Sequence, residues 1–261
     1  MSHPLSTEEV SVELKDLVAT LEIHRPPNNF FDFALIQQLA GIYEALAEAD
    51  DCRAIMLCAE GKNFCAGANF ASRGFGKDQL EGQAGQLYIE AIRLFRANIP
   101  VVAAVQGAAI GGGLGLAMSA DFRVTCEEGR FAANFVRLAF HHGFGLTVTL
   151  PRAIGQQRAE LMLMTGRRIK GQQAYEWGMA DEFVPMDQLR ERAWALAREI
   201  AEGGPLALKT IHQTMRGKLP DEVRAATDHE LDIQNQLRVT EDFKEGVEST
   251  NARRPANFKG R

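Results

Sequence analysis

The sequence predicts an α/β domain built around a mainly parallel sheet. Short apolar runs at residues 53–59, 100–106 and 122–126 indicate buried strands. Segments of helical periodicity separate these runs, and such strand–helix alternation is typical of parallel strands. A glycine-rich segment follows each of the first two runs, as in turns that leave the carboxyl end of a parallel strand.

The remaining elements follow from the same patterns. Residues 10–23 carry β-type side chains in partial alternation and predict strands, and the Pro-Pro-Asn-Asn sequence at 26–29 then breaks the chain. Residues 60–71 are expected to form the loop after the first buried strand. From about residue 146 onward helices dominate. The spacing of apolar residues predicts helices at residues 32–49, 80–98, 114–119, 189–200, 206–215 and 222–237.

Composition and charge argue against several classes of function. Of the 261 residues, 46% are apolar and 24% charged, as in ordinary globular proteins. A net charge of −5 without Lys/Arg blocks argues against a nucleic-acid partner. Residues 99–120 carry no formal charge over about the length of a membrane span, but Pro100, Gln106 and several glycines indicate a strand, a turn and a buried helix instead. No secretory signal is recognisable at the N-terminus, so we expect a cytoplasmic protein without membrane contact.

The four cysteines show neither a C-x-x-C pair nor companion histidines at metal-ligand spacing. We therefore expect no metal site. Thiols in and around a buried strand usually act as small apolar fillers, and this cysteine usage suits a reducing compartment. The cysteines are Cys52, Cys58, Cys65 and Cys126.

Two glycine segments carry the strongest functional signal. The first glycine segment is residues 61–70 (GKNFCAGANF), and the second is residues 106–124 (QGAAIGGGLGLAMSADFRV). Backbone N–H groups after a strand or at a helix start can converge on one ligand oxygen and stabilise an enolate or a tetrahedral oxyanion. Tight packing turns are the alternative interpretation. A dinucleotide site is disfavoured, because the glycines do not match G-x-G-x-x-G and no acidic residue follows at the next strand end.

Several motifs in the same order resemble the crotonase, or enoyl-CoA hydratase/isomerase, family. They lie in both glycine segments and elsewhere, so the resemblance covers essentially the whole chain. The motifs are HRP (24–26), FCAGAN (64–69), AAVQGAAIGGG (103–113), SADFRV (119–124), EWGMADEFV (176–184), EDFKEGV (241–247) and RRPANFKGR (253–261).

The resemblance implies a spiral of ββα repeats with a C-terminal helical trimerisation region. Residues 1–200 would form the spiral core with an acyl-CoA site, and residues 201–261 would form helices that pack on the core or on a neighbouring subunit. The implied assembly is a homotrimer or a hexamer made as a dimer of trimers. No tightly bound cofactor is implied, since coenzyme A enters as part of the substrate.

By position in the family's motifs, Ala68 and Gly112 would supply the two N–H groups of an oxyanion hole. Arg25 and Lys259 are candidate partners for the phosphates of coenzyme A, although Arg25 could equally be a solvated surface charge. Further substrate-binding candidates are Ala66, Gly67, Asn69, Phe70, Gly111, Phe135, Phe140 and Gly143.

The sequence departs from the family where a hydratase needs its acid and base. The two glutamate positions hold Gly115 and Phe135, and the position of the aspartate in dienoyl isomerases and the aryl-CoA dehalogenase holds Gly143. Asn69 replaces the usual aspartate after the first oxyanion segment. Neither glycine nor phenylalanine can move a proton, so the sequence contradicts ordinary syn-hydration.

Three side chains are left as candidates for proton transfer, namely His141, His142 and Tyr88. Phenylalanines at 135, 140 and 144 would make the acyl site apolar. A decarboxylase, or a lyase or isomerase assisted by histidine, is favoured, because loss of CO₂ produces an enolate without a base. A hydratase with a non-standard acid and base, or a catalytically silent CoA-binding scaffold, is the alternative.

Overall fold

The computed structural model describes residues 3–69 and 77–261, and for residues 77–84 it describes the backbone only. Nine strands and ten α-helices lie in the described ranges. The strands are β1 (Val10–Lys15), β2 (Val18–Ile23), β3 (Ala54–Ala59), β4 (Val101–Val105), β5 (Ala108–Ile110), β6 (Phe122–Thr125), β7 (Arg130–Ala132), β8 (Arg168–Lys170) and β9 (Glu182–Phe183).

The helices confirm the predicted helical segments. A short 3₁₀ helix, Asn134–Leu138, precedes the fourth α-helix. The α-helices are α1 (Phe33–Ala47), α2 (Lys77–Arg96), α3 (Gly112–Ser119), α4 (Leu146–Ile154), α5 (Gln156–Thr165), α6 (Gly171–Glu176), α7 (Leu189–Ala201), α8 (Pro205–Arg216), α9 (Leu219–Leu237) and α10 (Glu241–Asn251).

The larger sheet has six strands in the order β1-β2-β3-β4-β6-β9. Only the β1–β2 pair is antiparallel; every other pair in this sheet of the described chain is parallel, which confirms the predicted mainly parallel sheet. A succession of two strands and a helix recurs as β1-β2-α1 and β4-β5-α3. This recurrence is the expected ββα spiral.

Both faces of the larger sheet are covered. Helices α1 and α2 pack on one face, and α7 packs on the other through Leu189, Ala193, Ala197 and Ala201. Strands β3 and β4 are therefore buried at every residue, because a parallel strand between two helical layers has no solvated side. This burial explains why their sequences are continuously apolar.

The uncharged stretch at residues 99–120 contains β4 and α3, as the sequence predicts, and also β5, a second strand that the sequence analysis did not predict. Strand β5 belongs to a second sheet of order β5-β7-β8. Among the described helices, none has the length and apolar character needed to cross a lipid bilayer.

The C-terminal helices pack on the core of their own chain. Helix α9 lies against α2 and α4, and α10 lies against the 3₁₀ helix Asn134–Leu138. Helix α8 is fixed through Asp121, whose Oδ1 is 3.0 Å from His212 Nε2 and accepts from Arg216 Nε at 2.9 Å. These helices bring side chains from residues 230–251 close to the second glycine segment.

Candidate active site

The two glycine segments lie side by side because they pair through their backbones. Phe64 N donates to the Gln106 carbonyl at 2.8 Å, and Cys65 N donates to the Ala108 carbonyl at 2.7 Å. Ile110 N donates back to the Cys65 carbonyl at 3.1 Å. This short parallel ladder fixes the position of the first segment relative to the start of α3.

Two buried asparagines hold the ladder in place through hydrogen bonds to the backbone. Asn29 Nδ2 donates to the Glu60 carbonyl at 2.8 Å and to the Asn63 carbonyl at 2.7 Å. Asn63 Oδ1 accepts from Ala108 N at 3.1 Å. The sequence analysis treated residues 26–29 only as a chain break and missed both roles, although an Asn in a left-handed turn (Asn29, φ 47°) often bonds nearby backbone.

Close approach makes glycine necessary at two positions. Gly67 has φ 95°, and a Cβ there would lie 2.8 Å from the Ile110 carbonyl oxygen. A Cβ on Gly112 would lie 2.3 Å from Cζ of the Phe31 ring. A larger residue at position 67 would force the two segments apart, and one at position 112 would displace the Phe31 ring or the start of α3.

The N–H groups of Ala68 and Gly112, the predicted oxyanion donors, have no backbone acceptor in the described chain. Gly112 is the first residue of α3, where backbone N–H groups have no partner within the helix. Within residues 3–69 and 77–261, neither N–H donates a hydrogen bond. Both residues line the same cavity.

This cavity has a volume of about 320 Å³. Its wall is mainly aromatic and aliphatic, as predicted from the phenylalanines in the sequence. The phenylalanines on the wall are Phe30, Phe31, Phe33, Phe135, Phe140, Phe144 and Phe243. The polar side chains on the wall are Asn69, Tyr88, Asn134, Gln234, Arg238, Thr250 and Asn251.

Most of the residues singled out from the sequence lie on this wall, although many are far apart along the chain. Phe70 lies outside the described residues. The predicted residues that line the cavity are Ala66, Gly67, Ala68, Asn69, Tyr88, Gly111, Gly112, Phe135, Phe140 and Gly143.

The two predicted phosphate partners do not line the cavity. Arg25 is engaged in ion pairs with Glu9 and, at 3.0 Å, with Asp32. Lys259 is exposed, and its backbone N donates to Asp242 Oδ1 at 2.6 Å. The structure thus gives Arg25 a role in holding the N-terminal segment beside α1.

The position of the first missing glutamate is filled by a neighbouring ring. A Cβ on Gly115 would lie 2.5 Å from Cβ of Phe144 and 2.6 Å from Cγ. Phe144 is almost fully buried and packs edge-on against Phe31, with ring centroids 5.8 Å apart. A carboxylate at position 115 therefore has no room in this chain.

The space beside Gly143 is taken by a hydroxyl group. A Cβ on Gly143 would lie 1.9 Å from Tyr88 Oη and 2.6 Å from Gln234 Nε2. The Tyr88 hydroxyl thus stands where a side chain at position 143 would begin. Of the three candidates for proton transfer, only Tyr88 lies on the wall of the cavity.

The Tyr88 hydroxyl is oriented by α9. It donates to Gln234 Oε1 at 3.0 Å. Gln234 Nε2 donates to the carbonyls of His141 and His142 at 3.1 and 3.2 Å, which fixes the direction of its amide. Burial raises the pKa of Tyr88, so the hydroxyl is protonated at neutral pH. Nothing in the local sequence of Gln234 indicates this contact.

The two histidines lie beside the cavity and not on its wall. Their rings stack with centroids 4.1 Å apart, and His142 Nε2 is 2.8 Å from Thr147 Oγ1. Burial, with a smaller contribution from the nearby His141 and His229, lowers the pKa of His142 to about 4. Their placement gives no support to the interpretation of His141 or His142 as the proton-transfer group.

Glu230 is a buried carboxylate that the sequence analysis missed. Its oxygens accept from Gly145 N at 2.9 Å, Thr147 N at 3.1 Å and Thr147 Oγ1 at 2.6 Å. It therefore caps the start of α4 and holds the segment after Gly143 in place. Glu230 is not among the residues that line the cavity.

The described residues at this site are not suited to nucleophilic or metal chemistry. Cys65 in the first glycine segment is fully buried, and burial raises the pKa of its thiol to about 12. Among the described residues, no group of three His, Cys, Asp or Glu side chains could hold a metal ion.

Comparison with known proteins agrees with the resemblance seen in the motifs. The family model described as enoyl-CoA hydratase/isomerase matches residues 13–261. The 2,3-dehydroadipyl-CoA hydratase of Escherichia coli K12 is 32% identical over 257 residues, covering 97% of this chain and 99% of that protein. The 1,2-epoxyphenylacetyl-CoA isomerase of the same organism is 30% identical over 250 residues, covering 94% and 95%.

Solved structures agree as well. An enoyl-CoA hydratase/isomerase from Pseudoalteromonas atlantica T6c has a TM-score of 0.85 at 26% identity, covering 97% of this chain and 100% of that chain. An enoyl-CoA hydratase from Bacillus anthracis has a TM-score of 0.77 at 30% identity, with the same coverage. The chain therefore belongs to the enoyl-CoA hydratase/isomerase, or crotonase, family of enzymes that act on CoA thioesters.

Proposed function

We propose that this chain decarboxylates a malonyl-type CoA thioester through an enolate held in the Ala68–Gly112 oxyanion hole. One observation carries the proposal. The described wall of the cavity has two free N–H donors but neither a carboxylate nor an imidazole, and the places of two family carboxylates are filled by Phe144 and Tyr88. Decarboxylation forms an enolate without removing a proton, so it needs no protein base.

The reaction uses the oxyanion hole first. As the bond between the α-carbon and the carboxylate breaks, its electron pair moves into the thioester and places negative charge on the carbonyl oxygen. CO₂ leaves as a neutral molecule. The N–H groups of Ala68 and Gly112 stabilise the developing charge, and each such donor is worth about 3 kcal/mol in the transition state.

The second half of the reaction needs one proton. Tyr88 delivers it from its hydroxyl to the α-carbon, and the resulting tyrosinate takes a proton back from water. A neutral tyrosine is a sufficient acid here, because the carbon of an enolate is far more basic than a phenolate. The hydroxyl must turn from Gln234 towards the substrate for this step.

Isotope labelling tests both the loss of CO₂ and the protonation of the enolate. The wild-type protein and the variants Tyr88→Phe and His142→Ala are incubated in D₂O with malonyl-, methylmalonyl- and crotonyl-CoA. We expect CO₂ from the malonyl-type thioesters, and propionyl-CoA labelled on one face only. Tyr88→Phe should still release CO₂ but lose the facial preference, whereas His142→Ala should keep it.

Two results would contradict this proposal. Absence of CO₂ release from every malonyl-type thioester would refute decarboxylation. Loss of facial preference in His142→Ala, with retention in Tyr88→Phe, would make His142 the proton donor. Binding of all three thioesters without any change in them would favour a silent scaffold, and hydration of crotonyl-CoA would favour a hydratase with a non-standard acid and base.

An isomerase is the second candidate. The named activity of one relative, 1,2-epoxyphenylacetyl-CoA isomerase, supports it. Wash-in of deuterium into an enoyl-CoA at both the α- and γ-carbons, without CO₂ release, would distinguish it from the decarboxylase.

We also propose that the chain assembles as a homotrimer or a dimer of trimers and needs no tightly bound cofactor. Exposed apolar side chains on α8 support a subunit contact. Leu206 and Met215 are 81% and 79% exposed, and Ile211 is also exposed. Light scattering after size-exclusion chromatography measures the assembly, and a monomer at micromolar concentration would contradict it.

A further inference from the structure

A cationic side chain lies on the described part of the cavity wall. Among the described residues that line the cavity, Arg238 is the only one with a charged side chain. Its guanidinium carbon lies 5.6 Å from the centroid of the Phe140 ring. Phe140 in turn packs against Phe243, with ring centroids 4.6 Å apart.

This setting suits a cation that contacts an anion from the cavity. Attraction to the face of Phe140 helps to hold the guanidinium over the ring. A charge beside aromatic and aliphatic side chains is screened less than a charge in bulk water. A guanidinium also presents five donors in a flat fork that matches a carboxylate, so it can bind one while keeping other contacts.

Helix α9 sets the distance between this cation and the reacting centre. Gln234, which contacts the Tyr88 hydroxyl, and Arg238 are four residues apart and so lie on the same side of the helix axis. Arg238 therefore lies about 6 Å further along α9 than the residue that contacts the proposed proton donor.

We propose that Arg238 is an anion-binding residue of the cavity and that the acyl group of the natural substrate carries a carboxylate. The inference rests on the proposed function only in taking the substrate to be a CoA thioester. The carboxylate could be the one lost as CO₂, or one further along the acyl chain. Both sources present the same anion to Arg238 and differ in distance from the thioester.

Matched thioester pairs test the proposal without any turnover. Butyryl-CoA and succinyl-CoA have the same chain length and differ in a terminal carboxylate, as do hexanoyl-CoA and adipyl-CoA. None of the four carries a carboxylate on the α-carbon, so decarboxylation does not interfere. Their dissociation constants are measured by calorimetry with the full-length wild-type protein, Arg238→Gln, Arg238→Lys and Arg224→Gln.

The control variant removes the same charge from the same helix outside the cavity. Arg224 is exposed and pairs with Asp228 on α9, and it is not among the cavity-lining residues. Arg224→Gln should therefore leave the ratio of the two dissociation constants in each thioester pair unchanged. Arg238→Lys should keep part of the preference, because it keeps the charge but loses the fork.

In the wild type, we expect the carboxylate member of at least one pair to bind about 10-fold tighter or better, the size expected of a charge-assisted hydrogen bond in a partly buried site. Arg238→Gln should abolish that preference while binding butyryl-CoA as the wild type does, which shows that the cavity is intact. A preference confined to the shorter pair would identify a carboxylate near the thioester, and one confined to the longer pair a distal carboxylate.

Equal or weaker binding of the carboxylate member in both pairs would overturn the proposal, as would a preference that survives in Arg238→Gln. The two proposals can fail separately. A carboxylate preference without CO₂ release from malonyl-type thioesters would remove the decarboxylation and leave the role of Arg238 standing.

Discussion

The part of the cavity wall that carries the Ala68 and Gly112 N–H groups is made of backbone, whereas the part around Gly115 and Gly143 is shaped by side chains. We call the first the backbone wall and the second the side-chain wall. On the backbone wall, two paired segments bring N–H groups together. On the side-chain wall, Phe144 and Tyr88 occupy the space that side chains at positions 115 and 143 would need.

The difference shows which part of such a site can change. The backbone wall depends on close contacts such as the one between Gly112 and Phe31, so few substitutions are compatible with it. The side-chain wall needs only complementary volume and satisfied hydrogen bonds, and a different set of residues can provide both. A chain can therefore keep enolate stabilisation while its proton-transfer chemistry changes.

Substitution Gly112→Ala should have the largest effect on activity. The added Cβ would lie 2.3 Å from the Phe31 ring, so α3 must shift and carry its first N–H away from the substrate oxygen. Loss of one oxyanion donor lowers kcat by about 10²- to 10³-fold. The rate is measured with the thioester that the wild type turns over best.

Gly41→Ala provides the matched control for this substitution. No atom lies within 4 Å of a Cβ at that position, which is inside α1. It should leave kcat unchanged and stabilise the helix by about 0.5–1 kcal/mol. Equal kcat values for Gly112→Ala and the wild type would show that the Gly112 N–H plays no part in the reaction.

These contrasting walls also explain what the sequence could predict. Apolar runs and helical periodicity are local signals, and they predicted strands and helices that the structure contains. Ala68 and Gly112 were assigned through the family's motifs, which are also local stretches of sequence. Tyr88, Gly143 and Gln234 come from three distant segments, and nothing in their local sequence indicates that they meet. The neighbours His142 and Gly143 illustrate the limit further, since Gly143 lines the cavity while the His142 ring points to Thr147.

Asn29→Ala tests whether the backbone wall depends on its buried support. The side chain of Asn29 donates to two carbonyls, and its φ of 47° is unfavourable for alanine. Two buried acceptors without a partner and the backbone strain should lower the free energy of unfolding by about 3 kcal/mol. Urea denaturation measures this. Asn28→Ala is the control, because its backbone oxygen and not its side chain accepts from Ala66 N.

A loss of less than about 0.5 kcal/mol in Asn29→Ala would contradict this view of the ladder, because surface substitutions typically fall within that range. The variant should also raise KM more than Asn28→Ala does, since the first glycine segment would lose its fixed position.

Gly143→Asp tests whether the side-chain wall is truly filled. The new Cβ would lie 1.9 Å from Tyr88 Oη, and such overpacking costs about 1–3 kcal/mol of stability. Removing the ring in Tyr88→Ala makes space, so the double variant should lose less stability than the two single losses added together. Thermal denaturation of all four proteins gives the coupling free energy.

Gly204→Asp serves as the comparison for Gly143→Asp. It adds the same side chain at the N-cap of α8, where a Cβ would meet no atom within 4 Å, and it should be neutral or slightly stabilising. Additive losses in the double variant would mean that Tyr88 and a side chain at position 143 do not compete for space.

The smallest effect that we expect is on the pH dependence of stability, and it concerns His142, which lies beside the cavity and not on its wall. Burial lowers the pKa of His142 to about 4, below its ordinary value of 6.5, so the folded protein holds this ring neutral. The unfolded chain binds the proton more readily, and stability should therefore fall as the pH drops from about 6.5 towards 4. Between pH 7 and pH 5 the loss of stability from this group is about 1–2 kcal/mol.

His142→Gln should flatten that part of the stability profile measured by urea denaturation, while kcat at pH 7 stays within about twofold of the wild type. An unchanged profile would show that His142 titrates normally, and a large fall in kcat would return it to the list of proton donors.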